Sequence, residues 1–150
     1  MMLNELEAKK LFHQYGIRAN DGIGVQTPAE AAEAAEKLGY PVVVKVLSAQ
    51  ISHKSDLGLV ALNVRSADCA RGAADRILAA ARKIDAEATA VVEPMAPDGV
   101  AEVIIGGKRD PQFGPTVLFG LGGIFVEVFK DVSLRVAPVN HSIALKMIQE

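Results

Sequence analysis

One lysine interrupts an otherwise apolar, strand-like run of the sequence. Residues 41–47 read Pro-Val-Val-Val-Lys-Val-Leu, and the cation is Lys45. In one interpretation the run is an edge strand whose lysine side chain reaches water. In the other, Lys45 points into a cleft and holds a phosphate as a point charge. The residue types alone leave both interpretations open.

The polar stretch that follows, residues 48–58, has the side chains of an anion site. Its chemically capable residues are consecutive: His53, Lys54, Ser55 and Asp56, followed by Gly58. Lys54, the Ser55 hydroxyl and backbone N–H groups could surround an anion. His53 could act as a base or as a phosphoryl acceptor that Asp56 orients. A plain solvated loop with a lone histidine is the alternative.

Further candidates lie in the second half of the chain. Glu93-Pro94-Met95 stands where the composition changes, and Glu102 lies on the next strand-like run. A simple turn and an exposed strand carboxylate are the alternative roles for these residues. Residues 106–115 predict a long, charged hairpin loop. The glycines of residues 120–123 predict a close approach of the backbone to another group, or a bulge.

Motifs of several common active sites are absent from the sequence. A Rossmann fingerprint would need glycine at position 125, which is phenylalanine. Gly107-Lys108 is followed by Arg109 rather than by serine or threonine, so there is no Walker A loop. No serine lies in a Gly-x-Ser-x-Gly elbow, and the three histidines lack zinc-ligand spacing. The single cysteine, Cys69, excludes an intramolecular disulfide and a multi-cysteine metal site.

Composition predicts one soluble domain or part of one. The 150 residues are 50% hydrophobic, and 16 basic against 18 acidic residues give a formal net charge of -2. Such a charge does not fit a surface for nucleic acid or an anionic membrane. No apolar run is long enough for a transmembrane helix, and the start of the chain lacks signal-peptide features. We therefore expect a cytoplasmic protein.

Periodicity and capping residues predict four helices, near 3–15, over 28–38, from about 66 to 84, and from about 140 onward. Helix 28–38 is the best marked, because Thr27, Pro28 and Glu30 form a helix-start signature. The alternation of helices and strands gives way to nearly continuous strand near Glu93. We therefore predict an α+β fold with largely antiparallel sheets and two subdomains, 1–92 and 93–150. The strand-like runs are 23–26, 41–47, 59–64, 89–93, 100–106, 116–119, 124–129 and 133–136.

In this order the segments resemble the ATP-grasp domain of the NDP-forming acyl-CoA synthetases. That family includes ADP-forming acetyl-CoA synthetase and, more distantly, succinyl-CoA synthetase. The chain is also similar to the synthetase-like module of bacterial protein lysine acetyltransferases. The resemblance covers almost the whole chain. The similar segments are residues 7–12, 15–17, 39–45, 53–56 with Gly58, 108–115 and 119–127.

The resemblance implies an ATP-grasp fold in which two α+β subdomains hold ATP or ADP between their sheets. In such a fold Lys45 would contact the nucleotide phosphates, and the loop containing His53 would close over them. The histidine at position 53 would be the catalytic residue, as a phosphoryl carrier at the nucleotide site. The implied nucleotide-binding residues are Lys45, Lys54, Ser55, Gly58, Glu93 and Met95 at the adenine pocket, and Glu102 near the ribose.

The implied reaction is acyl-CoA + phosphate + ADP ⇌ acid + CoA + ATP, through an acyl phosphate and a phosphohistidine. Its phosphohistidine loop belongs to a separate CoA-binding subunit or domain, which is therefore an expected partner. Because a sheet that lacks its last strands exposes an edge, we also expect a homo- or hetero-oligomer. The alternatives are a non-catalytic nucleotide- or acyl-CoA-sensing module, or part of a protein lysine acetyltransferase.

Two departures from the family pattern affect these expectations. Gly58-Leu59 stands where the family has Gly-Gly, which stiffens one hinge of the phosphate loop. The family's magnesium ligands, in an Ile-Asn-Pro strand and a following aspartate, do not occur before Glu150. We therefore expect a C-terminally incomplete ATP-grasp domain whose Mg²⁺ ligands lie outside this chain, and which is inactive in isolation.

Overall fold

The chain divides into two compact units, Met1–Pro97 and Asp98–Glu150. The computed structural model describes residues 3–51, 54–97, 99, 101–123 and 132–150, so the predicted strand at 124–129 lies outside them. Every strand pair among these residues is antiparallel, as predicted. In the part of the chain that is described, no helix is long and apolar enough to cross a membrane.

The first unit packs helices against a four-stranded sheet of order β1-β4-β2-β3. The predicted cap of the second helix, Thr27, is confirmed, and Asn4 and Ser66 cap the other two in the same way: each accepts a hydrogen bond from a backbone N–H of the first turn. The elements are α1 (Glu5–Gln14), β1 (Ile23–Val25), α2 (Pro28–Leu38), β2 (Val42–Leu47), β3 (Val60–Val64), α3 (Ala67–Ala81) and β4 (Thr89–Pro94).

Strand β2 lies between β4 and β3, so the edge-strand interpretation of Lys45 is wrong. Val42, Val44 and Val46 are fully buried in the core that α2 and α3 form with the sheet. Because successive strand residues point to opposite faces, Lys45 lies on the other face. A cation in the middle of an interior strand must find its counter-charges there.

Small side chains allow α2 and α3 to lie close to each other and to the sheet. Ala35 on α2 and Ala70 and Ala74 on α3 have no exposed surface. Alanine at these positions therefore permits close packing of both helices on the sheet. This tightly packed layer fixes the position of β2 and, with it, the backbone of Lys45.

In the described part of the second unit, a three-stranded sheet of order β5-β6-β7 is followed by one helix. The elements are β5 (Val103–Asp110), β6 (Gly114–Leu121), β7 (Val132–Val136) and α4 (His141–Gln149). Asn140 caps α4 by accepting a hydrogen bond from the N–H of Ile143 at 2.9 Å. The helix predicted from about residue 140 is thus confirmed.

The long hairpin loop predicted over 106–115 is wrong. Strands β5 and β6 continue through this segment and leave only residues 111–113 as a turn. The Asp110 carboxylate accepts hydrogen bonds from the N–H groups of Gln112 and Phe113, at 2.8 and 3.0 Å. Gly114 then takes a positive φ of 79°, which completes a three-residue hairpin turn. Glycines and charged residues are typical of a loop. In this segment they lie in β5, where most side chains on both faces of the strand are exposed.

Candidate functional site

Charged side chains from four parts of the first unit meet on the sheet face opposite α2 and α3. Helix α1 supplies two of them, β2 and β4 supply one each, and the last comes from the segment before β3. We call this group the lysine cluster. Its members are Glu5, Lys9, Lys45, Lys54 and Glu93.

Lys45 and Glu93 form the centre of the lysine cluster. The Lys45 Nζ lies 2.9 Å from Glu93 Oε2 and also donates a hydrogen bond to Glu5. Lys9 Nζ lies 2.5 Å from Glu93 Oε1, so the Glu93 carboxylate is bound by two ammonium groups. The Glu93 side chain is only 6% exposed, which makes this pairing necessary for its burial.

The Glu5 carboxylate is shared among three lysines. In addition to Lys45, it lies 3.4 Å from the Nζ of Lys9 and 3.4 Å from the Nζ of Lys54. Three lysines and two glutamates leave one positive charge in excess within the lysine cluster. An excess of cations on a partly exposed sheet face is the electrostatic requirement of an anion site.

The pKa values in the lysine cluster follow from these contacts. Burial by itself lowers the pKa of Lys45, but hydrogen bonds and charges from Glu5 and Glu93 raise it above its usual value. Burial by itself raises the pKa of Glu5, but Lys45, Lys54 and Lys9 bring it below its usual value. Both groups are therefore held in their charged forms at neutral pH.

Local sequence explains how α1 and the chain after it reach this face. Glu5 and Lys9 are four residues apart, so they lie on the same side of the helix.

A Cβ on Gly22 would lie 2.8 Å from Val91 Cγ2 and 2.9 Å from Glu93 Cγ. Only glycine lets the chain cross the sheet there. The sequence predictions missed Glu5 and Gly22 because their partners are distant in the chain, although the Glu5–Lys9 spacing was a usable signal.

The segment 54–58 is a compact turn anchored at a buried residue. The carbonyls of Lys54 and Ser55 accept hydrogen bonds from the N–H groups of Leu59 and Gly58, at 2.9 and 3.0 Å. Gly58 has a positive φ of 66°, which favours glycine. Leu59 is 1% exposed and belongs to the core, which gives a packing reason for leucine at this position.

The other candidate residues are placed as follows. His53 lies outside the described residues. The Ser55 side chain is exposed. The N–H of Met95 donates to the Pro41 carbonyl at 3.0 Å, which ties the residue to the start of β2. Glu102 is in the second unit, where its carbonyl accepts from the N–H of Gly122 at 2.8 Å.

The predicted close backbone approach of the glycine run is confirmed, and its partner is Glu102. A Cβ on Gly122 would lie 3.1 Å from the backbone of Glu102 and Val103. A Cβ on Gly123 would lie 2.5 Å from the Glu102 carboxylate. These glycines therefore leave space for Glu102 in the second unit.

Metal ligands are a separate question. Within the described ranges, no group of three or more histidine, cysteine, aspartate or glutamate side chains could hold a metal ion. The lysine ammonium groups of the lysine cluster are instead suited to binding an oxyanion.

Comparisons with known proteins show what the chain is similar to. An ATP-grasp domain model matches residues 1–150. The beta subunit of acetate–CoA ligase [ADP-forming] I from Pyrococcus furiosus is 46% identical over 99% of this chain and 65% of its own length. The 4-hydroxybutyrate–CoA ligase [ADP-forming] of Nitrosopumilus maritimus is 40% identical over 97% of this chain and 21% of its own length.

A solved structure is similar over the same region. It is acetyl-coenzyme A synthetase 1 of Ca. Korarchaeum cryptofilum in complex with coenzyme A and Ca-AMPCP, with 44% identity and a TM-score of 0.92. The match covers 99% of this chain and 66% of that one. The chain therefore spans just under two-thirds of the length of the Pyrococcus furiosus and Ca. Korarchaeum cryptofilum proteins, and about a fifth of the Nitrosopumilus maritimus ligase.

The shared carboxylate of Glu5 predicts a pH-dependent contribution to stability. Since its pKa is lower in the folded than in the unfolded chain, the contribution is present above the ordinary glutamate pKa of about 4.3 and is lost as the pH falls through the lowered value. The free energy of unfolding of the native chain should therefore exceed that of Glu5→Gln at pH 7. Urea denaturation at several pH values should show the difference shrinking toward zero in acid.

The charge-matched control is Glu33→Gln, since Glu33 is an exposed residue of α2 on the other side of the sheet. Its difference from the native chain should not change with pH in this way. A pH-independent difference between the native chain and Glu5→Gln would contradict the stabilising role of the Glu5 ion pairs.

Proposed function

Because this chain belongs to the ATP-grasp family, we propose that its lysine cluster binds the phosphates of ATP and ADP. The proposal includes the activity of a longer enzyme, an ADP-forming acyl-CoA ligase, of which the chain is the nucleotide-binding part. The observation that carries it is the placement of Lys45 and Lys54 around the Glu5 carboxylate, where each lysine contacts one of the two oxygens. Two ammonium groups so placed match the oxygens of a phosphate.

The contacts support a phosphate-binding role for Lys45 and Lys54, and the resemblance to the family implies the roles of the other residues. Lys45 and Lys54 bind phosphate oxygens, and Ser55 and Gly58 contribute the hydroxyl and the close backbone of the turn. Glu93 holds Lys45 on its strand and, with Met95, borders the adenine pocket. Glu102 of the second unit contacts the ribose. The described residues do not supply a set of Mg²⁺ ligands.

The reaction proposed for the assembled enzyme is acyl-CoA + phosphate + ADP ⇌ acid + CoA + ATP. A partner subunit or domain binds CoA and carries a phosphohistidine. We propose a class of acyl substrates rather than one compound. Relatives with 46% and 40% identity are named as ligases of acetate and of 4-hydroxybutyrate. Similarity in this region therefore does not distinguish between acyl chains.

His53 completes the proposal as a phosphoryl acceptor. Its imidazole nitrogen forms a bond to the γ-phosphorus of ATP, the bond to the bridging oxygen breaks, and ADP leaves. Lys54, the next residue, offsets the charge of the transferred group. The support for this step is the sequence His53-Lys54-Ser55-Asp56 and its likeness to the family segment.

Replacing Lys45 tests the phosphate contact. Lys45→Gln should weaken ATP and ADP binding by about 10- to 100-fold, since a charged hydrogen bond worth about 1.5–3 kcal/mol is lost. Isothermal titration calorimetry measures the affinity, and a thermal melt shows whether the variant remains folded. The matched control is Lys37→Gln on α2, which carries the same charge change away from the lysine cluster and should bind as the native chain does.

Equal affinities of the native chain and of a folded Lys45→Gln would remove Lys45 from the site. Absence of ATP and ADP binding by the native chain would overturn the proposed function as a whole.

Replacing His53 tests the transfer step. With γ-labelled ATP, this chain within the complete enzyme, with the Mg²⁺ ligands and the CoA-binding partner present, should acquire an acid-labile label that His53→Asn lacks. ATP affinity, measured separately, should be the same for both. A label of equal size on His53→Asn would contradict the role of His53, and nucleotide binding without any label would favour a non-catalytic sensing module.

A further inference from the structure

The chain itself places an anion, the Glu5 carboxylate, between the two lysines that the proposed function assigns to phosphate. The Glu5 carboxylate contacts Lys45 through Oε1 and lies 3.4 Å from Lys54 Nζ through Oε2. Each oxygen thus has its own ammonium partner. A phosphate that binds to the same two lysines would have two oxygens at the positions of the Glu5 oxygens.

We infer that the Glu5 carboxylate competes with the nucleotide phosphate for Lys45 and Lys54, so that binding requires its displacement. The inference rests on the proposed function, because it concerns the same two lysines. It makes Glu5 a residue that determines how strongly, and for which anions, the site binds.

Glu5 can leave the lysines more easily than Glu93 can. The Glu5 side chain is 27% exposed, whereas the Glu93 side chain is 6% exposed. Glu93 extends from β4, an interior strand, beneath the chain at Gly22. Glu5 is instead the first residue of α1, and none of the α1 residues is buried.

Displacement of Glu5 does not leave Lys45 without a counter-charge. Glu93 Oε2 remains 2.9 Å from the Lys45 ammonium group. The lysine cluster then changes from one excess positive charge to two. This change favours multiply charged phosphates, which gain more from the second charge than a monovalent anion does.

The contact of Glu5 with the lysines has two measurable effects, one on the affinity for anions and one on the selectivity among them. It weakens binding, because each phosphate must first replace an existing ion pair. The Glu5 carboxylate also holds three lysines in place, and its negative charge offsets the repulsion between their ammonium groups. A weakly charged anion cannot easily replace Glu5, so the contact raises selectivity for nucleoside di- and triphosphates.

The test is a calorimetric titration of the full chain with two probes, ADP and inorganic pyrophosphate. Glu5→Gln removes the competing charge, and we expect it to bind both probes about tenfold more tightly than the native chain, which corresponds to about 1.4 kcal/mol. Glu33→Gln is the charge-matched control on α2 and should bind as the native chain does. Glu5→Ala is the second variant, with a strong helix former at the start of α1.

The outcomes separate the inference from the proposed function. Unchanged or weaker binding of both probes by folded Glu5→Gln and Glu5→Ala would overturn the competition, while ADP binding by the native chain would leave the proposed function standing. Tighter pyrophosphate binding without any ADP binding would support the competition and overturn the nucleotide proposal. Binding of neither probe, or loss of the folded state in both variants, would overturn the inference.

Discussion

The ion pairs of Lys45 are the constraint on which the first unit depends. A lysine in the middle of an interior strand cannot reach water along an edge, so its charge has to be balanced on the sheet itself. Glu93 of the neighbouring strand supplies one counter-charge at 2.9 Å, and Glu5 of α1 supplies the other. None of the residues of α1 is buried, and Glu5 and Lys9 join the helix to the sheet through Lys45 and Glu93.

The sequence predicted local structure well where local signals exist. The predicted bounds of α2, 28–38, match the observed ones, and Thr27 and Pro28 mark its start as the sequence indicates. The segment 106–115 was misjudged, because glycines and charges that indicate a loop also occur in a solvated ladder. The edge-strand interpretation of Lys45 failed for a different reason. Strand order depends on pairings between residues such as Lys45 and Val91, which local periodicity does not report.

The candidate site was predictable in part. Its lysines could be chosen from residue type, and the resemblance to a family gave them a role. The Glu5–Lys45 contact joins residues forty positions apart and could not be inferred from either segment alone. The same holds for Gly22, whose need for glycine arises from the side chains of Val91 and Glu93. The Glu5–Lys45 contact and the need for glycine at position 22 both arise from the packing of segments that are distant in the sequence, and local sequence patterns do not report such packing.

The contact of Lys45 and Lys54 with nucleotide phosphates can be tested most directly by NMR. The chain is labelled at its lysine side chains, and their resonances are followed during titration with ADP. The resonances of Lys45 and Lys54 should shift together and saturate, while that of Lys37 on α2 stays in place. Saturable ADP binding that leaves the Lys45 and Lys54 resonances unchanged would contradict a phosphate site at these lysines.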